Sequence, residues 1–391
     1  MLSDSETSWR VLVALLVHDG ASVERCLSSL ARLNPGAHST DILVLDDTSP
    51  EHGWSARCHD LSTDLGFEYY RTPRVLGIPR VVNTGMLCAI ESGYDAVVLL
   101  DDHTHIPANT IPTLIDPLTK DSSASSAIPW SNHSSGYSPA NLDAEQILQV
   151  PGLVDWISDR LSEEFGCLTM PVPSGMGPCI ALPTTVIQDV GMMDPIFSQG
   201  SFMEIDWCLR SHELGYRSVL VPSCFAHHTG SITTQVADTT PQDGRALQAE
   251  RAIIDERYPL SRAQLLEFFS SSIMSEMRVR ANMRIILCAA REKGYRVEVG
   301  RLDKFEEDTD VIGFRIDPTG QQSAITATYQ GFEASFAVGD GGVLSTVQEI
   351  VGEAPREIRV FERGRFAQDL EAAVSGTACV IRHSPYREGV F

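Results

Sequence analysis

Three stretches of this chain are apolar without alternation and then stop at acids. "VLVALLVHD" (11–19), "ILVLDD" (42–47) and "VVLLDD" (97–102) place a residue that prefers burial at successive positions, not at every second one. A strand accepts that pattern only when both of its faces are covered, as in parallel sheets flanked by helices. Helical segments fall between them. "SVERCLSSLARLNPG" sets Val23, Cys26, Leu27, Leu30 and Leu33 on one face, with Ser22 as N-cap and Pro35-Gly36 as the stop. "FEYYRT" reads as a further strand and "VVNTGMLCAIESG" as a helix closed by Gly93. This β-α-β-α order predicts an α/β fold built on a doubly wound, mostly parallel sheet.

In such sheets ligands bind beyond the carboxyl ends of the strands. His18-Asp19, Asp46-Asp47 and Asp101-Asp102 stand at three of those ends, so the clusters are expected to converge on one edge. Charge narrows the choice of ligand. A net charge of −22 over 391 residues tells against nucleic acid or an anionic membrane as the main partner. A phosphorylated ligand would have to be neutralised locally, by a metal, basic residues or helix N-termini. The nine cysteines form no CxxC pair and support neither a disulfide framework nor a zinc site. No run reaches the roughly 18–20 apolar residues of a membrane helix. "MLSDSETSWR" lacks the basic and apolar regions of a signal peptide, so a cytoplasmic protein is expected.

Over about residues 9–235 the order and spacing of several stretches resemble the glycosyltransferase family 2 type of GT-A domain. They are "VLVALLVHDGASVERCLSSL", "ILVLDDTSP", "LGIPRVVNTGM", "VVLLDDHTHIP", "PSGMGPCIAL", "VGMMDPIF" and "MEIDWCLRSHELGYRSVLVPSCFAHHTGS". The resemblance implies an enzyme that moves a sugar from a nucleoside-diphosphate sugar to the hydroxyl of a small-molecule, glycan or glycoside acceptor. It implies a nucleotide side formed by Asp19, Asp46, Gly77 and Asn83. It also implies an acidic motif, DxD in most of the family, that closes the fourth strand and holds the ribose and a divalent metal.

Here the motif is DxH. Asp101 falls on its first acid and His103 on its second, with Asp102 as a competing ligand. Imidazole is a good ligand for Mn²⁺, whereas Mg²⁺ prefers oxygen, so Mn²⁺ or Mg²⁺ is the expected cofactor. The polypeptide N-acetylgalactosaminyltransferases, also of the GT-A type, carry a DxH of this kind. The histidine that completes the family's metal site maps to His228, in "HTG", with His227 as the fallback. His105 reads as a turn residue. Glu204 falls at the family's general-base position, where aspartate is commoner. A carboxylate is needed there because the acceptor hydroxyl must lose a proton as it attacks. Asp206 is expected to cap or orient the helix beside the base. Gly175, in "PSGMGP", is expected to let backbone approach the donor sugar.

Residues 121–145, rich in serine, proline and asparagine, read as a mobile loop whose Trp130 and Tyr137 stack on a sugar or an aglycone. Past residue 235 the resemblance thins. "GRALQAERAIIDERYP" reads as a helix ended by Pro259, and residues 261–294 as a long helical pattern, one helix or two. "RVEVGRL", "VIGFRID", "AITATYQ", "EASFAVG" and "EIRVFE" read as strands, and "AQDLEAAVSG" as a helix. The expected organisation is a GT-A domain over 1–260 and an α+β domain over 261–391 that binds acceptor or forms a homo-oligomer. Two other readings use the same fold. A sugar nucleotidylyltransferase would need a basic, Gly-rich N-terminal loop that "LLVHDGASVERCLSSL" does not contain. A non-catalytic sugar-nucleotide-binding protein would not need Glu204 beside Asp46, Asp101 and His228.

Overall fold

The computed structural model describes residues 7–17, 22–47, 54–132, 136–140, 142, 147–198, 202–229, 241–300, 312–316, 324–340, 342–361 and 380–383. The chain forms two compact units. One comprises Met1–Ser138 with Ala144–Ser275, the other Pro139–Asp143 with Glu276–Phe391.

The first unit is organised around the expected strands. β1 (Arg10–Val17), β2 (Ser39–Asp46), β3 (Glu68–Arg71) and β4 (Ala96–Asp101) run parallel in the spatial order β3-β2-β1-β4. Their register aligns the acid-bearing ends. Val17 of β1 lies beside Asp46, and Leu16 lies beside Asp101. Between the strands run α1 (Val23–Leu30), α2 (Trp54–Asp64) and α3 (Ile78–Glu91). Val11, Val13, Leu15 and Val17 face Val23, Leu27 and Leu30 in one core layer, which accounts for the unbroken apolar run of β1. Ser22 stands at the N-cap position of α1, but its side chain makes no capping bond; its hydroxyl accepts one from Thr229 instead.

α3 covers the other face at close range. A Cβ added to Gly85 would sit 2.9 Å from the Ala14 Cβ and 3.2 Å from the Leu45 Cδ1. The helix rests on β1 and β2 because nothing projects from it at this point.

Further strands widen the sheet. β5 (Thr104–His105), β6 (Ala124–Ser131), β7 (Met170–Val172), β8 (Cys179–Pro183) and β9 (Arg217–His228) continue it as β4-β8-β6-β9-β5, with β7 also on β9. α4 (Thr110–Lys120), α5 (Leu153–Phe165), α6 (Thr184–Val190) and α7 (Met203–Glu213) connect them. The sequence expectation for residues 121–145 is corrected here. β6 is an inner strand with all eight residues buried. Trp130 is 0% exposed and Tyr137 is 1% exposed, so neither offers a stacking face. The serines of "ASSAIPWS" suggest a loop, yet they are satisfied inside. Ser211 of α7 donates to the Ser125 Oγ at 2.9 Å, and Ser126 lies 3.8 Å from the Cys208 Sγ. Residues 133–135, 141 and 143–145 of that stretch lie outside the described residues.

α8 (Pro241–Arg257) and α9 (Ser261–Phe269) follow, then α10 (Ser272–Lys293). In the second unit β10 (Tyr295–Val299), β11 (Ile312–Ile316), β12 (Ala324–Tyr329), β13 (Phe332–Ala337), β14 (Glu357–Val360) and β15 (Val380–His383) form a mixed sheet. Its order is β13-β12-β11-β10-β14-β15, and α11 (Gly342–Val351) joins β13 to β14. One row of this sheet is charged although buried. Glu298 takes Arg296 at 2.7 Å and Arg315 at 3.0 Å. Gly313 makes room for it, since a Cβ there would lie 2.9 Å from the Glu298 Oε2. The helix expected in "AQDLEAAVSG" lies outside the described residues.

The packing at Gly85 yields a stability test. Gly85→Val forces two branched methyls into a space where even one carbon meets Ala14 and Leu45. It should cost about 1–3 kcal/mol of folding stability. Thermal unfolding of the purified variant reads this directly, and an unchanged midpoint would contradict the close approach of α3.

Candidate functional site

β4 ends in Asp101, and the chain then reverses into β5. The turn is closed by the His103 backbone N–H, which donates to the Asp101 Oδ1 at 2.8 Å. β5 pairs antiparallel with the end of β9, Thr104 beside His228 and His105 beside His227. That short ladder brings His228 over Asp101. Asn132 fixes it from the far side, its Oδ1 accepting from the His228 N–H and its Nδ2 donating to the His228 carbonyl, each at 2.7 Å. Thr229 adds a third tie, donating its N–H to the His103 carbonyl at 2.9 Å.

Three side chains meet as a result. The His228 Nε2 lies 3.2 Å and the His103 Nδ1 3.4 Å from the Asp101 Oδ1. One donor atom from each of Asp101, His103 and His228 falls within 4.8 Å of the others. The His103 Nδ1 is also 3.1 Å from the Oδ1 of the buried Asp102. Asp102 therefore braces His103 and is not grouped with the three. His227 is fully buried and points to the other side of the strand, its ring 6.3 Å from that of Phe225. His105 is engaged by Arg32, whose Nη2 lies 3.1 Å from its Nε2.

Electrostatics match this geometry. Burial works against ionisation of Asp101, but hydrogen bonds from His103 and His228 hold its carboxyl well below the usual carboxylate range. Hydrogen bonds to Asp101 and Asp102 raise the His103 imidazole to about 11, against the opposing effect of burial. The position thus favours positive charge. A carboxylate with two imidazoles is also a donor set suited to a borderline divalent cation such as Mn²⁺.

Glu204, in the first turn of α7, accepts the Gly177 N–H at 3.0 Å on Oε2. Burial pushes its carboxyl up to about 7; the Gly177 hydrogen bond opposes this and the charge of Asp101 adds to it. A carboxylate with that value can take and release a proton near neutrality. Asp206 has other work. It is fully buried and makes no capping bond; Arg210 reaches its Oδ2 at 2.9 Å, while Arg257 at 2.8 Å and Tyr258 at 3.2 Å reach its Oδ1. Arg210 also donates to the carbonyls of Val190 and Met192, and Arg257 pairs with Asp194 at 2.8 Å. Asp206 therefore knots α7 to α8 and to the "VGMMD" loop.

The remaining expected residues that are described are engaged within the protein. Asp46 is fully buried and accepts the Tyr69 hydroxyl at 2.6 Å. Gly77 has φ +83, precedes α3 and donates its N–H to Asp47. Asn83 exchanges two hydrogen bonds of 2.9 Å with the Met193 main chain. A Cβ at Gly175 would come within 3.3 Å of Cys208, Ser126 and Ile180, so its lack of side chain serves packing. Asp19 lies outside the described residues. Two further residues shape this region: Asp47, from the expected Asp46-Asp47 cluster, and Gly177, for which the sequence suggests no role. Asp47 clamps the "LGIPR" loop through Leu76, Gly77 and Thr72, and Gly177 acts through its main chain. The acid after Asp46 is a visible signal for the first; none exists for the second.

Residues 16–182 match the model of the family described as glycosyl transferase family 2. Among solved structures, the chain is similar to GalNAc-T7 with UDP, GalNAc and Mn²⁺, with TM-score 0.45 and 14% identity over 70% of this chain and 54% of that one. It thus spans about half the length of that protein. It is similar to the mannosyltransferase PcManGT from Pyrobaculum calidifontis in complex with GDP-Man and Mn²⁺, with TM-score 0.39 and 13% identity over 70% of this chain and 86% of that one. It is also similar to S. aureus TarS 1-349 in complex with UDP, with TM-score 0.40 and 11% identity over 71% of this chain and 80% of that one. No curated protein matches the chain. No helix among the described residues is long and apolar enough to cross a membrane.

The knot at Asp206 can be tested apart from any reaction. Asp206→Asn keeps the shape but removes the charge that Arg210 and Arg257 share. It should lower stability by about 1.5–3 kcal/mol, the range for hydrogen bonds to charged groups. Denaturant unfolding at neutral pH measures it; a wild-type midpoint would show that the knot is not structural.

Proposed function

We propose that this chain, whose residues 16–182 form a glycosyl transferase family 2 domain, is a metal-dependent inverting enzyme. It moves a sugar from a nucleoside-diphosphate sugar to an acceptor hydroxyl. The observation that carries the reading is the meeting of Asp101, His103 and His228 at the carboxyl edge of the sheet, with the perturbed Glu204 in the same unit. Asp101, His103 and His228 would hold the divalent cation, with Asp102 bracing His103. When bound, the metal supplies positive charge for the diphosphate of the donor and of the leaving group. The nucleotide would lie along the edge marked by Asp19, Asp46, Gly77 and Asn83, with Gly175 supporting the loop on the sugar side. Residues 261–391 would serve acceptor binding or homo-oligomerisation.

Glu204 does the proton work. Its Oε2 is held by Gly177, so Oε1 is the oxygen that meets the acceptor hydroxyl. As that oxygen attacks the anomeric carbon, its proton passes to Glu204 and the bond from the anomeric carbon to the diphosphate breaks. The nucleoside diphosphate leaves with the electron pair. A single displacement inverts the carbon, so one base suffices and no covalent sugar-enzyme species is required. Asp206 steadies the helix that carries the base.

A panel of nucleotide sugars, scored by release of nucleoside diphosphate in the presence of acceptors, identifies the donor and separates an enzyme from a binding protein. Activity should vanish with excess EDTA and return best with Mn²⁺; full activity in chelator would sink the metal assignment.

The base makes its own prediction. Glu204 accepts a proton only when ionised, so kcat should rise as pH climbs through about 7 and fall on the acid side. Glu204→Gln should lower kcat by at least about 100-fold, abolish that limb and leave donor affinity little changed. Near-normal turnover in this variant would place the base elsewhere.

A further inference from the structure

The loop between β7 and β8, "PSGMGP", is tied at Ser174, Gly175, Gly177 and Pro178. The Ser174 carbonyl accepts the Tyr137 hydroxyl at 2.5 Å. The Gly175 carbonyl lies 3.7 Å from the Cys208 Sγ of α7. The Gly177 N–H reaches Glu204, and the Pro178 carbonyl accepts the Asp101 N–H at 3.0 Å. One short segment therefore connects the strand end that carries Asp101 to the side chain of Glu204.

Three of these ties come from α7 or from β4. Tyr137 comes from elsewhere and is itself firmly set. Its carbonyl accepts the Ser131 N–H at 3.0 Å, and its ring meets Phe269 edge-on at 5.0 Å. Gly136 beside it has no room for a side chain, because a Cβ would fall 2.4 Å from the Phe269 ring. A tyrosine that is 1% exposed cannot touch a substrate, so any part it plays is through the loop.

We propose that Tyr137 is a positioning residue for Glu204: by holding the Ser174 carbonyl it fixes the loop so that the Gly177 N–H meets the Glu204 Oε2. The proposal rests on the reading of Glu204 as the base. Gly177, at φ +146, adopts backbone that an L-residue rarely enters, so its N–H is aimed by the loop as a whole. Freed at Ser174, the loop would turn that N–H away, and Glu204 would lose both its orientation and a hydrogen bond that favours its ionised form. The titratable groups around Glu204 are Asp101 at the end of β4, Cys208 on its own helix and Cys179 in β8; of these, Cys208 also lies near the Tyr137 hydroxyl.

Tyr137→Phe keeps the ring against Phe269 and deletes only the hydroxyl. Its kcat should fall about 5- to 20-fold, a loss equivalent to one or two hydrogen bonds. The acid limb of kcat should move up by about 0.5 pH unit, while KM for the donor stays unchanged. A purely structural role would lower the unfolding midpoint and leave the limb in place, and that result would overturn the proposal. Should Tyr137→Phe not fold, 4-aminophenylalanine at 137 restores a donor and should keep the wild-type limb; a displaced limb there counts against the proposal. Glu204→Gln serves as the reference. If it retains the limb, the base assignment itself fails; if it loses the limb while Tyr137→Phe behaves as wild type, only the role of Tyr137 fails.

Discussion

The side chain of Asp101 is the point on which the site turns. Its Oδ1 accepts the His103 main chain and lies within 3.4 Å of both imidazoles, so one oxygen closes the turn after β4 and gathers the donor set. An anion at the end of a buried strand is costly unless cations or donors surround it. Here the compensation comes from the chain reversal into β5, which can form only because β9 is long enough to pair with it. The same Asp101 sends its N–H to Pro178 and so anchors the loop that reaches Glu204. Charge at Asp101 also helps keep Glu204 near neutrality. The Asp101–His103–His228 cluster and Glu204 are thus linked through one residue.

The organisation of this edge was legible because it is written in side chains. β1, β2 and β4 carry continuous apolar runs, and parallel register brings Asp46 and Asp101 beside Val17 and Leu16 at the end of β1. Asp101, His103 and His228 could be named from the resemblance to the family's motifs, and the geometry brings those three together. β6 was not legible. Its serines and proline imitate a loop, and only the partners offered by α7 make them tolerable inside. Gly177 left no trace either, since a main-chain N–H is common to nearly every residue and its aim is a property of the folded loop.

Residues far apart in sequence decide what the site carboxylates do. Asp206 and Glu204 stand two positions apart on one helix and look interchangeable in sequence. Arg257 and Tyr258, 51 and 52 residues further on, commit Asp206 to an ion-paired knot, whereas Glu204 receives a single N–H in a buried setting. Asn83 and Met193 show the same dependence across 110 residues. Pairings of that range are set by which elements the sheet order makes neighbours, not by local pattern.

Asp101, His103 and His228 are proposed to form one cation site. Counting bound Mn²⁺ by electron paramagnetic resonance, with UDP and with GDP in separate samples, tests it without relying on turnover. A single Mn²⁺ per wild-type chain is expected, with affinity at least about 10-fold weaker in both His103→Ala and His228→Ala. Mn²⁺ binding in those two variants equal to that of the wild-type chain would contradict it.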